Sequence, residues 1–258
     1  MLIKLSEKYN VNLLNVLKEI LIIIIGVLLA FYFTKLGENL KQKNYEREIL
    51  NQIYFELKHN LIDLEQDYSL LNTAYKSTLK VQDFLNGNIE MNDSLIFDFY
   101  LMTKDEYIFP NVSGYENLKS FGINLISDDS LRKEITMVYN NDFPRITVGN
   151  DFNRNLNDFL LPYFSKNFSL NKNLNFEYKL NLTDSIKVKY PVKLSETNYY
   201  HIGYIPHNIS KLKNDDELYI LLNRSIEMRH HKLAYYKLSI ERSKSILKII
   251  EEGNYIGE

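Results

Sequence analysis

Hydrophobic and polar positions change rhythm several times along this chain. Ile20–Phe33 (ILIIIIGVLLAFYF) is a 14-residue apolar run with no polar face. At about 1.5 Å per residue it covers roughly 21 Å of a hydrocarbon core about 30 Å thick. Extension to Leu36 on one side and Leu17 on the other, with Lys18 and Glu19 snorkelling to the headgroups, gives a membrane span over 17–36. Beyond it, Leu50, Tyr54, Leu57, Leu61, Leu64, Tyr68, Leu71 and Tyr75 alternate steps of four and three. That spacing winds one apolar stripe along a helix. No Pro or Gly interrupts 38–85, so span and stripe read as one helix, with Gly37 as a place to kink and Asn86-Gly87-Asn88 as its end. Leu222, Ile226, Arg229, Leu233, Tyr236, Ile240, Ser243, Leu247 and Ile250 repeat the spacing after Asp215 and Asp216, and Gly253 closes the segment.

Two stripes of similar length satisfy each other as an antiparallel pair, although pairing between chains would use the same heptads. Tyr at three seam positions fits a broad bundle better than a thin coiled coil. Between the stripes lie short helices: one opened by Asp93 or Ser94 and running through Met102, one from the capping-box pattern Ser113–Glu116 to Phe121, and one capped within 127–130 and running through Tyr139. A further helix holds Phe152, Leu156, Phe159 and Leu160 and stops near Pro162. Strict alternation over 174–182 and 186–194 then predicts a β-hairpin insertion at about 172–196. The expected fold is mainly α: an N-terminal tail (1–16), a transmembrane helix (17–36), and a helical soluble domain (37–258) of two long antiparallel helices, shorter helices and a small β-hairpin.

Composition narrows the chemistry. With no Cys, disulfides, thiolate catalysis and Cys-ligated metal centres are excluded. A net charge of −2 gives no footprint for nucleic acid. Nine Gly and five Pro are few for a chain of many tight turns, which agrees with a helical fold. A cleaved signal peptide and a buried soluble helix are the alternatives to a membrane anchor. Bulky Phe31, Tyr32 and Phe33 after Ala30 make a poor cleavage site, and the four consecutive isoleucines leave no polar side. Positive charges nearly balance across the span, with Lys4, Lys8 and Lys18 before it and Lys35, Lys41, Lys43 and Arg47 after it. The reading adopted is a cytoplasmic tail and an external, periplasmic domain on the inner membrane. Gly26, Ala30 and Thr34 form a strip of small side chains that would let a second helix approach.

Two stretches resemble an uncharacterised bacterial family of single-span membrane proteins, a domain of unknown function. They are Glu19-Ile-Leu-Ile-Ile-Ile-Ile-Gly26-Val-Leu-Leu-Ala30 running on to Glu38-Asn39, and Tyr115-Glu-Asn-Leu-Lys119-Ser-Phe-Gly122 through Leu125-Ile-Ser127-Asp-Asp-Ser130-Leu131-Arg132. Family members carry Trp just beyond the span where this chain has Leu36. The resemblance implies a membrane-anchored, mostly helical domain and no particular reaction. Within the second stretch, Lys119 and Arg132 are candidate contacts for an anionic ligand; local caps and ion pairs are their commoner use.

Glu56-Leu-Lys-His59 and Glu227-Met-Arg-His230 are both Glu-x-x-His, half of a di-iron carboxylate set. The heptad frame turns Glu56, His59 and Glu227 towards solvent, so no metal, cofactor or catalytic residue is assigned. The leading expectation is a non-enzymatic, membrane-anchored scaffold or partner subunit whose partners are the lipid bilayer and a second copy or another membrane protein. The alternatives are a sensory domain enclosing a small molecule between Tyr115 and Tyr163, and a metal-binding bundle enzyme.

Overall fold

The computed structural model describes residues 13–148, 154–171, 203–253 and 255. The expected strands over 174–182 and 186–194 lie outside the described residues. Helix α1 (Leu13–Leu85) runs unbroken through Gly37 and ends where Gly87, at φ 81°, takes the left-handed conformation that terminates helices. Helices α2 (Asp93–Leu101), α3 (Ser113–Phe121), α4 (Asp129–Met137), α5 (Asn157–Asn167), α6 (Ile209–Leu212) and α7 (Asp216–Glu252) follow. Strands β1 (Phe168–Leu170) and β2 (Tyr204–Pro206) pair antiparallel, Phe168 opposite Pro206. The chain is therefore mainly α, with a small two-stranded sheet.

Helices α1 and α7 form the antiparallel frame. Contacts between them run Tyr54–Glu251, Glu65–Lys244, Asp67–Tyr236, Thr78–Arg229 and Gln82–Asn223, descending one helix as they climb the other. Asp215 caps α7 by accepting from Glu217 and Leu218, and Gly253 is its C-cap. Two apolar cores occupy the ends of this frame. One gathers Leu50, Leu57, Leu64, Leu118, Leu131, Ile135, Tyr236 and Ile246; the other gathers Val81, Phe84, Phe99, Leu160, Phe164, Leu218 and Leu222.

Three local expectations need correction. The buried face of α7 includes the predicted seam residues Leu222, Arg229, Tyr236, Ser243, Leu247 and Ile250, but Ser225, Lys232, Ser239 and Ile246 complete it where Ile226, Leu233 and Ile240, only partly buried, were expected. Apolar periodicity could not find a face whose alternate positions are Ser and Lys. The capping box at Ser113 does not form: Val112 is the N-cap and supplies no side-chain bond, while Glu116 pairs with Lys119. Pro162 lies inside α5 without stopping it, because its ring removes one helix hydrogen bond while Tyr163 and Phe164 beyond it are buried.

Residues 14–45 make no core. Apart from half-covered Val16, every side chain in this stretch is exposed, including Leu14, Leu17, Ile20 to Ile25, Phe31, Phe33, Leu36 and Leu40. The first buried side chain of α1 is Glu46. This is one helix long and apolar enough to cross a membrane, projecting about 48 Å from the folded body.

Candidate functional site

Between the two apolar cores lies a belt of buried polar groups, built where α2 ends and the chain passes across the α1–α7 frame. Arg229 is completely buried. Its guanidinium donates to Thr78 Oγ1 (2.7 Å) and to the main-chain carbonyls of Met102 and Lys104 (2.6 Å each). These carbonyls follow the last turn of α2, where a cation complements the negative end of the helix dipole. Its buried Nε has no hydrogen-bond partner among the described residues. Burial lowers the Arg229 pKa to about 10, so it stays cationic at neutral pH.

One helical turn on, Lys232 Nζ bonds Asp105 Oδ1 at 2.8 Å with both side chains nearly fully buried, and lies 3.3 Å from the Tyr107 ring centroid. Asp105 also accepts from the Tyr107 hydroxyl (2.7 Å). Burial pulls the Lys232 pKa down, and Asp105 opposes that shift. Next along α7, the Tyr236 hydroxyl donates to Asp67 at 3.2 Å. Burial, reinforced by Glu106 and Asp63, pushes Asp67 up to about 7, and burial also raises Glu106. The belt thus sets Arg229 and the Lys232–Asp105 ion pair beside two carboxylates, Asp67 and Glu106, that retain protons unusually well. A cavity of about 10 Å³ lined by Asp105, Arg154, Leu156, Met228, Arg229 and Lys232 sits beside it, the size of one water molecule.

The Asp67 shift fixes the sign of a pH effect. The folded chain holds this proton more tightly than the unfolded chain, so its stabilisation is complete below about pH 4 and is lost as pH rises through about 7. Asp67→Asn should therefore flatten stability between pH 5 and 8. At pH 8 it should raise the unfolding free energy by about 2 kcal/mol, roughly half the full linkage value because Asp67 remains partly solvated. Denaturant titration at the two pH values measures this; an unchanged slope would contradict it.

A second polar site lies on α1. Glu56 is buried, contrary to the solvent-facing position predicted from the heptad frame. It accepts from Gly114 N (2.6 Å) and the Tyr139 hydroxyl (2.5 Å), while Tyr115 and Tyr139 stack with centroids 4.5 Å apart. Burial raises the Glu56 pKa and these bonds oppose the rise. Because Val112 supplies no side-chain cap, the first amides of α3 need other acceptors: Asn111 Oδ1 takes Ser113 N (3.1 Å) and Glu56 takes Gly114 N. The close seating also explains Gly114, where a Cβ would meet Ile53 N at 3.1 Å. Glu46 does the same for Ser127, accepting from its N (2.6 Å) and Oγ (2.7 Å). Asn60 clamps both main-chain groups of Asn111 at 2.8 Å.

The other residues singled out from the sequence are not brought together. His59, Glu227 and His230 are exposed. Antiparallel pairing places the two Glu-x-x-His segments about 30 Å apart along the frame. Among the described residues, no group of three or more His, Asp or Glu is arranged to hold a metal ion. Lys119 pairs with Glu116 at 2.8 Å, and Arg132 bonds Ile126 O (2.9 Å) and pairs with Asp129. Gly26, Ala30 and Thr34 stand exposed on α1, with Thr34 Oγ1 bonded back to Ala30 O at 2.9 Å. The chain matches no protein-family model, no curated protein and no solved structure.

Proposed function

We propose that this chain is a single-pass protein of a bacterial inner membrane, akin to the uncharacterised single-span family it resembles. Its helical body, on the external side, acts as a non-catalytic scaffold or partner subunit. The observation that carries this reading is the continuity of α1: the helix that projects bare and apolar over 14–36 is the same helix that nucleates the core from Leu50 onward. A folded body fixed to such a rod moves with the bilayer as one piece. The belt and the Glu56 site support a structural use, since their hydrogen bonds join α1, α7 and the intervening loops.

The partner we propose is a second copy of the chain. About eighteen residues make five helical turns, so Gly26, Asn44 and Ile62 share one side of α1, and Gly37 and Phe55 lie about 20° from it. Ala30 is within about 40° of the same line. Phe55 and Ile62 are exposed on that side while α3 and α7 cover others. A parallel pair of α1 helices would bring small residues together in the membrane and apolar ones above it.

Because the chain lacks Cys, single-cysteine cross-linking is clean. In membranes, oxidised Ala30→Cys and Phe55→Cys should give disulfide-linked dimers, and Lys237→Cys, exposed on α7, should not. Native mass spectrometry of the unmodified chain should show a dimer. Absence of cross-linking at both sites, with a lone monomer and no co-purifying chain, would sink the proposal.

A further inference from the structure

The end of the folded body nearest the span carries an exposed aromatic pair. Helix α3 descends alongside α1, with Asn117 Nδ2 bonded to Gln52 Oε1 at 3.0 Å. Its last residue, Phe121, stacks on Tyr45 with centroids 5.5 Å apart and planes 26° apart. Phe121 is 58% exposed and Tyr45 36%, a large apolar area to leave in water. Lys41 Nζ lies 5.7 Å from the Tyr45 ring centroid, and Lys35, Lys43 and Arg47 belong to the same stretch of helix.

Height along α1 gives this pair its meaning. Tyr45 lies nine residues past Leu36, about 13 Å along the axis. The headgroup layer is about 5–8 Å deep on each side, and spans tilt by about 20° on average. The Tyr45 side chain leans towards the N-terminus of α1, as helical side chains do, and a tilt towards α3 lowers groups standing off the helix axis by a few Å; together these bring the ring pair to the outer edge of the headgroups. Aromatic rings favour this layer, and cations beside them meet lipid phosphates. Phe109 is more exposed still, at 83%, but it sits by Asn111, which is held at the level of Asn60, about 22 Å higher.

We propose that the Tyr45–Phe121 pair is a lipid contact: it rests in the headgroup layer of the bilayer crossed by α1, and together with Lys41 it sets the tilt of the folded body over the membrane. The contact rests on the anchor reading, so its test must separate the two.

The chain contains no Trp, so a single introduced Trp reports alone. Phe121→Trp, Tyr45→Trp, Phe109→Trp and Phe31→Trp are each placed in lipid nanodiscs. The discs contain phospholipid carrying a nitroxide quencher either on the headgroup or deep in the acyl chain. Phe31→Trp should be quenched by the deep probe. Phe121→Trp and Tyr45→Trp should lose at least about half their emission to the headgroup probe, and Phe109→Trp should be unaffected. If Phe31→Trp is quenched while Phe121→Trp and Tyr45→Trp behave like Phe109→Trp, the contact is overturned and the anchor survives. If Phe31→Trp is not quenched, the anchor itself is wrong and the contact falls with it. Circular dichroism matching the unmodified chain confirms that each variant reports on the folded body, and two reporters on the pair guard against local repacking at either one.

Discussion

Arg229→Ala is expected to be the most damaging single substitution in the folded body, lowering its unfolding free energy by about 4 kcal/mol. The substitution leaves Thr78 and Met102 O without their donor in a buried setting and Lys104 O without its donor in a half-buried one, and it opens a cavity between the two apolar cores. Arg229→Met fills most of that volume and also removes a buried cation, one of whose nitrogens has no partner, so it should cost about half as much. Arg229→Lys keeps the charge but cannot span three acceptors with a single ammonium, and should fall between the two. Urea unfolding of the detergent-solubilised chain, followed by circular dichroism, gives the order. Equal losses for Ala and Met would show that the hydrogen bonds outweigh both volume and charge.

Glu56→Ala is expected to cost about 3 kcal/mol. It strips the acceptor from Gly114 N and the Tyr139 hydroxyl, both in buried surroundings. The effect should be local before it is global, because Val112 supplies no side-chain cap and Asn111 Oδ1 accepts only from Ser113, leaving Gly114 N to Glu56. Glu56→Gln retains one acceptor oxygen and loses the charge, so about 1–1.5 kcal/mol is the expected loss. Hydrogen exchange distinguishes this from general destabilisation: the amides of α3 should exchange faster in Glu56→Ala, and those of α7 near Leu222 should hardly change. Uniform acceleration across the body would count against Glu56 as the peg that seats α3.

The particular elements that could be foreseen share a physical basis. Gly87, Gly122 and Gly253 end helices and Asp215 begins one through chemistry that acts within a few residues of chain, so α1, α3 and α7 stop, and α7 starts, where the sequence predicts. The antiparallel pairing followed from stripe length, and Arg229 already stood in the predicted seam. Glu56, Asn60, Ser225, Lys232 and Ser239 are different. Each is polar and buried. Glu56, Asn60 and Lys232 are buried because of what faces them from a distant segment, the start of α3, the main chain of Asn111 and the carboxylate of Asp105, whereas Ser225 and Ser239 are satisfied by bonding back to Leu221 O and Tyr235 O within α7. Periodicity of apolar residues carries no information about such partners. One hint was present, since Ser113-Gly114 opens a helix after Val112, a residue that cannot cap, and so calls for an acceptor from elsewhere. Similarly, Phe121 and Tyr45 are far apart in sequence, and only the descent of α3 along α1 brings them together at the foot of the body.

Everything proposed for this chain depends on residues 17–36 lying in lipid. Alkaline carbonate extraction of membranes from cells making the full-length chain tests it most directly, because high pH strips peripheral proteins and leaves spanning helices behind. The intact, unprocessed polypeptide is expected in the pellet, released only by detergent. Recovery of that same full-length polypeptide in the carbonate supernatant would contradict the anchor and every proposal built on it.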